Sequence, residues 1–98
     1  MWERFLPEIR QRTAVLESSA AAVAAGKLTA KQRAAAQAAA HKLAGVLGTF
    51  GLTRGTVLAR ELELTYSRES SPRPDAAAPL ASIAAELRGM VENRKSTA

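Results

Sequence analysis

The sequence predicts an all-α protein: an antiparallel up-down-up-down bundle of four helices. Three observations lead there. Hydrophobic residues make up 47% of the chain but aromatics only 4%. The core is therefore built from Leu, Val, Ile and Ala, and alanine is the strongest helix former. Apolar residues recur at three- and four-residue spacing in four separate stretches. Most breaks between those stretches are short, which makes consecutive helices antiparallel neighbours. At 98 residues the chain makes one small domain, 1–98, and not two. Helices of these lengths need mutual packing to be stable.

The first helix is expected from about Trp2 to Ala25. Phe5, Ile9, Leu16 and Val23 form its stripe, joined by Thr13 and Ala20. Pro7 lacks a backbone donor, so the helix either begins near Leu6 or bends there, with Trp2 and Phe5 in a short leading turn. Gly26 suits a C-terminal stop. Thr29-Ala30-Lys31-Gln32 reads as a capping box, opening a second helix from Ala30 to about Leu47 or Gly48. Gly48 and Gly51 bracket a tight connection, with Phe50 anchoring it. Thr53 is expected as the N-cap of a third helix to about Ser67, striped by Leu58, Leu62 and Tyr66 with Ala59. Glu61 and Glu63 are expected to face outward or to make surface pairs. The prolines and serines of Arg68–Asp75 forbid regular helix, giving a mobile loop at about 68–78. The fourth helix begins between Ala76 and Pro79, where proline suits the first helical position. Leu80, Ile83, Ala84, Leu87 and Met90 or Val91 form its stripe. A frayed tail is expected over about 94–98.

Composition narrows the function. Cysteine is absent, which removes disulfides and thiolate metal sites and fits a cytoplasmic location. The net charge is +5 and the pI about 10.5. The basic residues are scattered, with no dense run and no aromatic platform among them, so neither nucleic acid nor a membrane surface is expected as a partner. No stretch resembles a secretory signal or reaches transmembrane length.

The remaining chemistry lies in Ala34–Leu52, which holds the sole histidine, His41. On a helical wheel Leu43, Val46, Leu47 and Phe50 centre almost opposite the imidazole. Ala34, Gln37, Ala38, Ala44, Gly45 and Gly48 lie within about 60° of it. His41 should therefore stand on the solvent face among small residues. Gly45 sits one turn on, where a side chain would crowd the ring, and glycine there costs about 1 kcal/mol relative to alanine. A closely approaching partner would justify that cost. A solitary helical histidine is otherwise an ordinary solvated residue. A metal set cannot form locally, because no second histidine, no cysteine and no carboxylate three or four residues away is present. A serine-nucleophile triad lacks both an elbow and a local acid. Nucleophilic or proton-transfer work at a ring nitrogen remains.

Three segments in order are Ala40-His41-Lys42-Leu43-Ala44-Gly45, then Gly48-Thr49-Phe50-Gly51-Leu52, then Leu58-Ala59-Arg60-Glu61-Leu62-Glu63. Together they resemble the histidine-containing phosphotransfer (Hpt) domain. The pattern is a histidine, a hydrophobic residue two on, a glycine four on, a Gly-Leu pair about ten on, and a later Leu-x-x-x-Leu-Glu helix. The close likeness covers about thirty residues. It implies that His41 receives a phosphoryl group, through Nε2, from a receiver-domain aspartate or a histidine kinase and passes it on. It further implies that Mg²⁺ belongs to the receiver, that this domain holds no cofactor or metal, and that Ala34, Ala38, Ala44, Gly45 and Gly48 form the docking face. Gln37 and Lys42 are the local candidates to support the phosphoryl group. Many members carry lysine three residues after the histidine; here that position is Ala44, and Lys42 points about 100° away.

No glycine-rich phosphate loop with a following lysine is present, so a carrier is expected rather than an ATP-dependent enzyme. It would act as a monomer or as part of a larger hybrid protein. The alternative is a non-catalytic helical interaction module that uses the same small-residue face, with His41 incidental.

Overall fold

The computed structural model describes residues 2–67 and 73–94. Four helices follow in order: α1 (Trp2–Ala24), α2 (Ala30–Thr49), α3 (Thr53–Ser67) and α4 (Ala77–Arg94), with one 3₁₀ turn at Pro74–Ala76 before α4. They form an all-α four-helix bundle measuring 40 × 20 × 19 Å. At 23 residues, α1 is about 34 Å long and runs most of the long axis. The main layers are α2 on α3 and α1 on α4, closed by a smaller α1–α2 interface.

The expected stripes fill the centre. Ile9, Leu16 and Val23 of α1, Leu58, Leu62 and Tyr66 of α3, and Leu80, Leu87 and Val91 of α4 are all buried. From α2, Leu43 and Leu47 are joined by Ala36, Ala39, Ala40 and Ala44. Alanines at these positions let the neighbouring helices approach α2 closely, α1 at Ala39 and α3 at Ala44. Gly55 serves the α3 contact from the other side: a Cβ there would lie 2.9 Å from Leu47 Cδ1.

Capping follows the sequence. The Gln32 amide donates to Thr29 Oγ1 at 3.0 Å, and the Thr29 amide donates to Gln32 Oε1 at 2.9 Å, which completes the capping box. Both tight connections end helices with a glycine in the left-handed region, Gly26 at φ 68° and Gly51 at φ 77°. The Lys27 amide bonds the Ala22 carbonyl and the Leu52 amide the Leu47 carbonyl, the six-to-one closure that glycine permits.

Several expectations need correcting. Helix α1 begins at Trp2 and continues unbroken through Pro7; one missing donor this close to the helix start does not end it. Phe5 therefore sits in the helix, 38% exposed, with its ring edge-on to Phe50 at 5.9 Å. Thr53 is the first helical residue and not the cap before it, because the Thr56 amide bonds the Leu52 carbonyl. The irregular stretch stops short of 78: Pro74–Ala76 forms the 3₁₀ turn and Ala77 opens α4. Pro79 then takes the third helical position, where its missing N–H would have had no intrahelical partner. Residues 68–72 and 95–98, which include the rest of the loop and most of the frayed tail, lie outside the described residues.

Cross-helix ion pairs set the register. Arg10 of α1 makes a forked contact with Glu92 of α4 at 2.8 and 2.9 Å. Arg88 meets Glu17 at 3.5 Å, and Arg54 of α3 meets Glu86 of α4. All are solvated, so they orient the helices more than they stabilise them.

The Tyr66 hydroxyl is buried and has no hydrogen-bond partner among the described residues. Burial pushes its pKa up. The unfolded chain therefore ionises first, and stability present below pH ~10 is lost as pH rises past it. Replacing Tyr66 with Phe removes an unpaired buried polar group and should stabilise the fold by about 1 kcal/mol. Urea unfolding at pH 7 checks the gain, and alkaline unfolding of the variant should begin at higher pH.

Candidate functional site

His41 sits mid-way along α2 with its side chain 72% exposed. The buried face of α2 is defined by Ala36, Ala39, Ala40, Leu43, Ala44 and Leu47. Because four of these six are alanines, that face is rotated towards α3 relative to the wheel drawn from the bulky residues alone. The histidine thus lies near the α3 edge of the exposed face and not at its middle.

That rotation brings a carboxylate to it. His41 Nδ1 lies 2.8 Å from Glu63 Oε2 of α3, whose side chain is 27% exposed. Of the two expectations for Glu63, facing outward or making a surface pair, the second holds, and its partner is the ring. A carboxylate only accepts hydrogen bonds, so in this contact Nδ1 carries the proton and donates it. The neutral ring then keeps its lone pair on Nε2. An exposed ring nitrogen held in one tautomer by a neighbouring carboxylate is able to act as a nucleophile.

Three open grooves meet at this ring. The largest, about 640 Å³, is lined on the α2 side by Gln37, Ala44 and Gly45 and on the α3 side by Arg60, Glu63 and Leu64. A second runs towards α1 past Lys42, Val46 and Phe5. The third passes Ala34, Gln37 and Ala38. The structure thus groups His41 with all of the small residues named from sequence except Gly48, which lines none of the three. Gln37 is half-buried beside the ring, and Lys42 is exposed on the flank towards α1.

Ala44 departs from expectation. At 6% exposure it is too covered to serve as a docking contact, because α3 packs over it. Thr56 Oγ1 donates to its carbonyl at 3.1 Å. Gly48 is exposed yet has an internal reason to be small: a Cβ there would lie 3.3 Å from the Thr56 hydroxyl. At Gly45 a Cβ would meet nothing within 4 Å, so a methyl would not crowd the ring. The free space at Gly45 is used by no part of the described chain.

Sequence reading missed Glu63, Arg60 and Leu64 as site residues. Leu64 is 67% exposed at the groove rim, unusual for a leucine in an otherwise polar surface stripe. For Arg60 and Glu63 the only signal was their place in the Leu58–Glu63 segment, which lies on another helix from His41; for Leu64 there was none. Among the described residues no group of three or more His, Cys, Asp or Glu comes together as a metal site. No helix among them is long and apolar enough to cross a membrane.

The fold is thus a four-helix bundle that presents a solvated histidine, as the resemblance to histidine phosphotransfer domains leads one to expect, and sets it against a carboxylate. The family model described as "Hpt domain" matches residues 1–97, and the chain belongs to that family, the phosphorelay carriers of two-component signalling. A 62-residue stretch is 40% identical to "Protein RcaC" of Microchaete diplosiphon, covering 63% of this chain but 10% of that protein. The chain thus spans about a tenth of the length of the curated relative it matches. No solved structure matches it.

Proposed function

We propose that His41 is the phospho-accepting residue, taking the phosphoryl group from a receiver-domain aspartate or a histidine kinase and passing it to another receiver. The observation that carries this is the 2.8 Å contact between Nδ1 and Glu63, which leaves Nε2 as the free nucleophile. In the forward step the Nε2 lone pair attacks phosphorus in line, the Nε2–P bond forms, and the P–O bond to the aspartate breaks. The aspartate carboxylate leaves with the electron pair. The ring then carries both the phosphoryl group and the Nδ1 proton, and so a positive charge. Glu63 offsets that charge from the far side. The Mg²⁺ belongs to the receiver, where it neutralises charge on the phosphoryl oxygens; this chain supplies the nucleophile and the docking face.

That face is Ala34, Ala38 and Gly45, with exposed Leu64 at its rim and Gly48 further along α2. Gln37 and Lys42 flank the ring on either side. With no phosphate-binding loop in the sequence, the domain acts as a carrier and does not draw on ATP itself. It works in the cytoplasm, alone or as one part of a larger protein.

The test is transfer of labelled phosphate from a phosphorylated receiver, with the product stable in alkali and labile in acid as a phosphoramidate must be. Label that survives acid, or no uptake from any receiver of the same organism, would count against the reading.

Gly45 gives an independent check. Alanine at this exposed helical position should raise stability by about 1 kcal/mol, since nothing in the chain obstructs the methyl. Transfer should nevertheless slow, because the methyl stands where the receiver must approach. Thermal unfolding and transfer rates measured on one Gly45→Ala preparation should move in opposite directions. A variant that is stabilised and transfers at the parent rate shows that the receiver does not press on Gly45.

A further inference from the structure

A phosphoryl group on Nε2 brings about two negative charges to a site that already holds the Glu63 carboxylate. A cation is needed close by, and the grooves around the ring offer three. Arg12 on the α1 side is already paired with Glu8 at 3.0 Å. Lys42 is exposed and lines the two smaller grooves at the ring, but it does not line the main one. Arg60 lines the main groove together with His41, Ala44 and Glu63. It makes no ion pair or hydrogen bond among the described residues.

Two features explain why that guanidinium is uncommitted. Arg60 stands one turn before Glu63 on α3, where residues three apart are neighbours on one face, and the Glu63 carboxylate is engaged by His41 Nδ1. Across the groove, Ala44 carries no side chain beyond Cβ, so nothing from α2 occupies the space in front of Arg60. A guanidinium presents a planar fork of donors that matches phosphate oxygens two at a time.

We infer that Arg60 binds the phosphoryl group on His41, reaching over Ala44 from α3 and supplying the positive charge that no residue of α2 places in this groove. This rests on His41 being the acceptor. The contact should prolong the life of the phosphorylated state. Hydrolysis of the N–P bond passes through a loose transition state, in which charge leaves the phosphoryl oxygens for the departing nitrogen. A cation on those oxygens therefore holds the ground state more firmly than the transition state.

The experiment labels the whole domain with phosphoramidate, a small donor that needs no docking partner. It then follows loss of phosphohistidine and the pH titration of its ³¹P resonance. Arg60→Ala should shorten the lifetime about fivefold, the range of an exposed charge pair, and should raise the pH at which the phosphoryl group titrates. Arg60→Lys should fall between. Ala44→Lys in the Arg60→Ala background should restore the lifetime, since it returns a cation to the same groove.

A lifetime and titration unchanged in Arg60→Ala overturn the assignment, as does a loss produced by Lys42→Ala but not by Arg60→Ala. If Arg60→Ala slows only transfer from a receiver and leaves phosphoramidate labelling and lifetime intact, Arg60 contacts the partner and not the phosphate, and the inference is wrong. Failure of the parent to take up phosphate on His41 from any donor would instead sink the acceptor reading itself.

Discussion

His41→Gln should take up no acid-labile phosphate from a phosphorylated receiver, with signal at background and not merely reduced. Glutamine keeps a polar side chain of similar reach but has no basic lone pair on nitrogen, so attack on phosphorus has no nucleophile. No other histidine exists in the chain to substitute for it. The fold should be unaffected. The ring is 72% exposed and fills no part of the core, and surface changes of this kind shift stability by no more than about 0.5 kcal/mol. Circular dichroism and urea unfolding should therefore match the parent while labelling vanishes. Parent-level labelling of the variant would place the acceptor elsewhere, and parent-level partner binding with no labelling of either protein would favour the non-catalytic interaction module.

Replacing Glu63 should give the second-largest loss, and its pattern separates orientation from charge. Alanine removes the acceptor for Nδ1–H, so the ring can rotate and exchange tautomers, placing a proton on the nitrogen that must attack. Losing the partner that orients a metal-bound histidine typically costs about 10- to 100-fold, and a drop of the same order in transfer rate is expected for this orienting carboxylate. Glutamine keeps an oxygen that accepts from Nδ1 but has no charge to offset the phosphorylated ring. It should fall between parent and alanine. Rapid-quench transfer assays give the rates, and ¹⁵N shifts of the imidazole give the tautomer. The parent should show a protonated Nδ1 and a bare Nε2; the alanine variant should show a mixture. If Glu63→Ala transfers at the parent rate, the 2.8 Å contact is an ordinary surface pair with no part in the chemistry.

The four helices were legible in the chain because each depends on local signals. Gly26 and Gly51 end helices by taking positive φ, the Thr29–Gln32 box starts one, and the spaced leucines mark buried faces. The exposure of His41 was legible for the same reason. Pro7 was harder to read, because whether a proline near a helix start breaks it depends on how much packing follows.

Alanine was the least informative residue of all. It is at home both in a core and in water, so Ala36, Ala39, Ala40 and Ala44 gave no direction to the α2 wheel, and the exposure expected for Ala44 was misplaced. By itself the sequence determined the bundle, the histidine and its solvated setting, since those follow from periodicity and caps within one helix at a time. Only the tertiary structure decided what stands next to the ring. The rotation of α2 against α3, fixed by how closely small side chains let two backbones approach, put Glu63 behind Nδ1 and Arg60 across from Ala44. No local pattern encodes a contact between residues twenty-two positions apart.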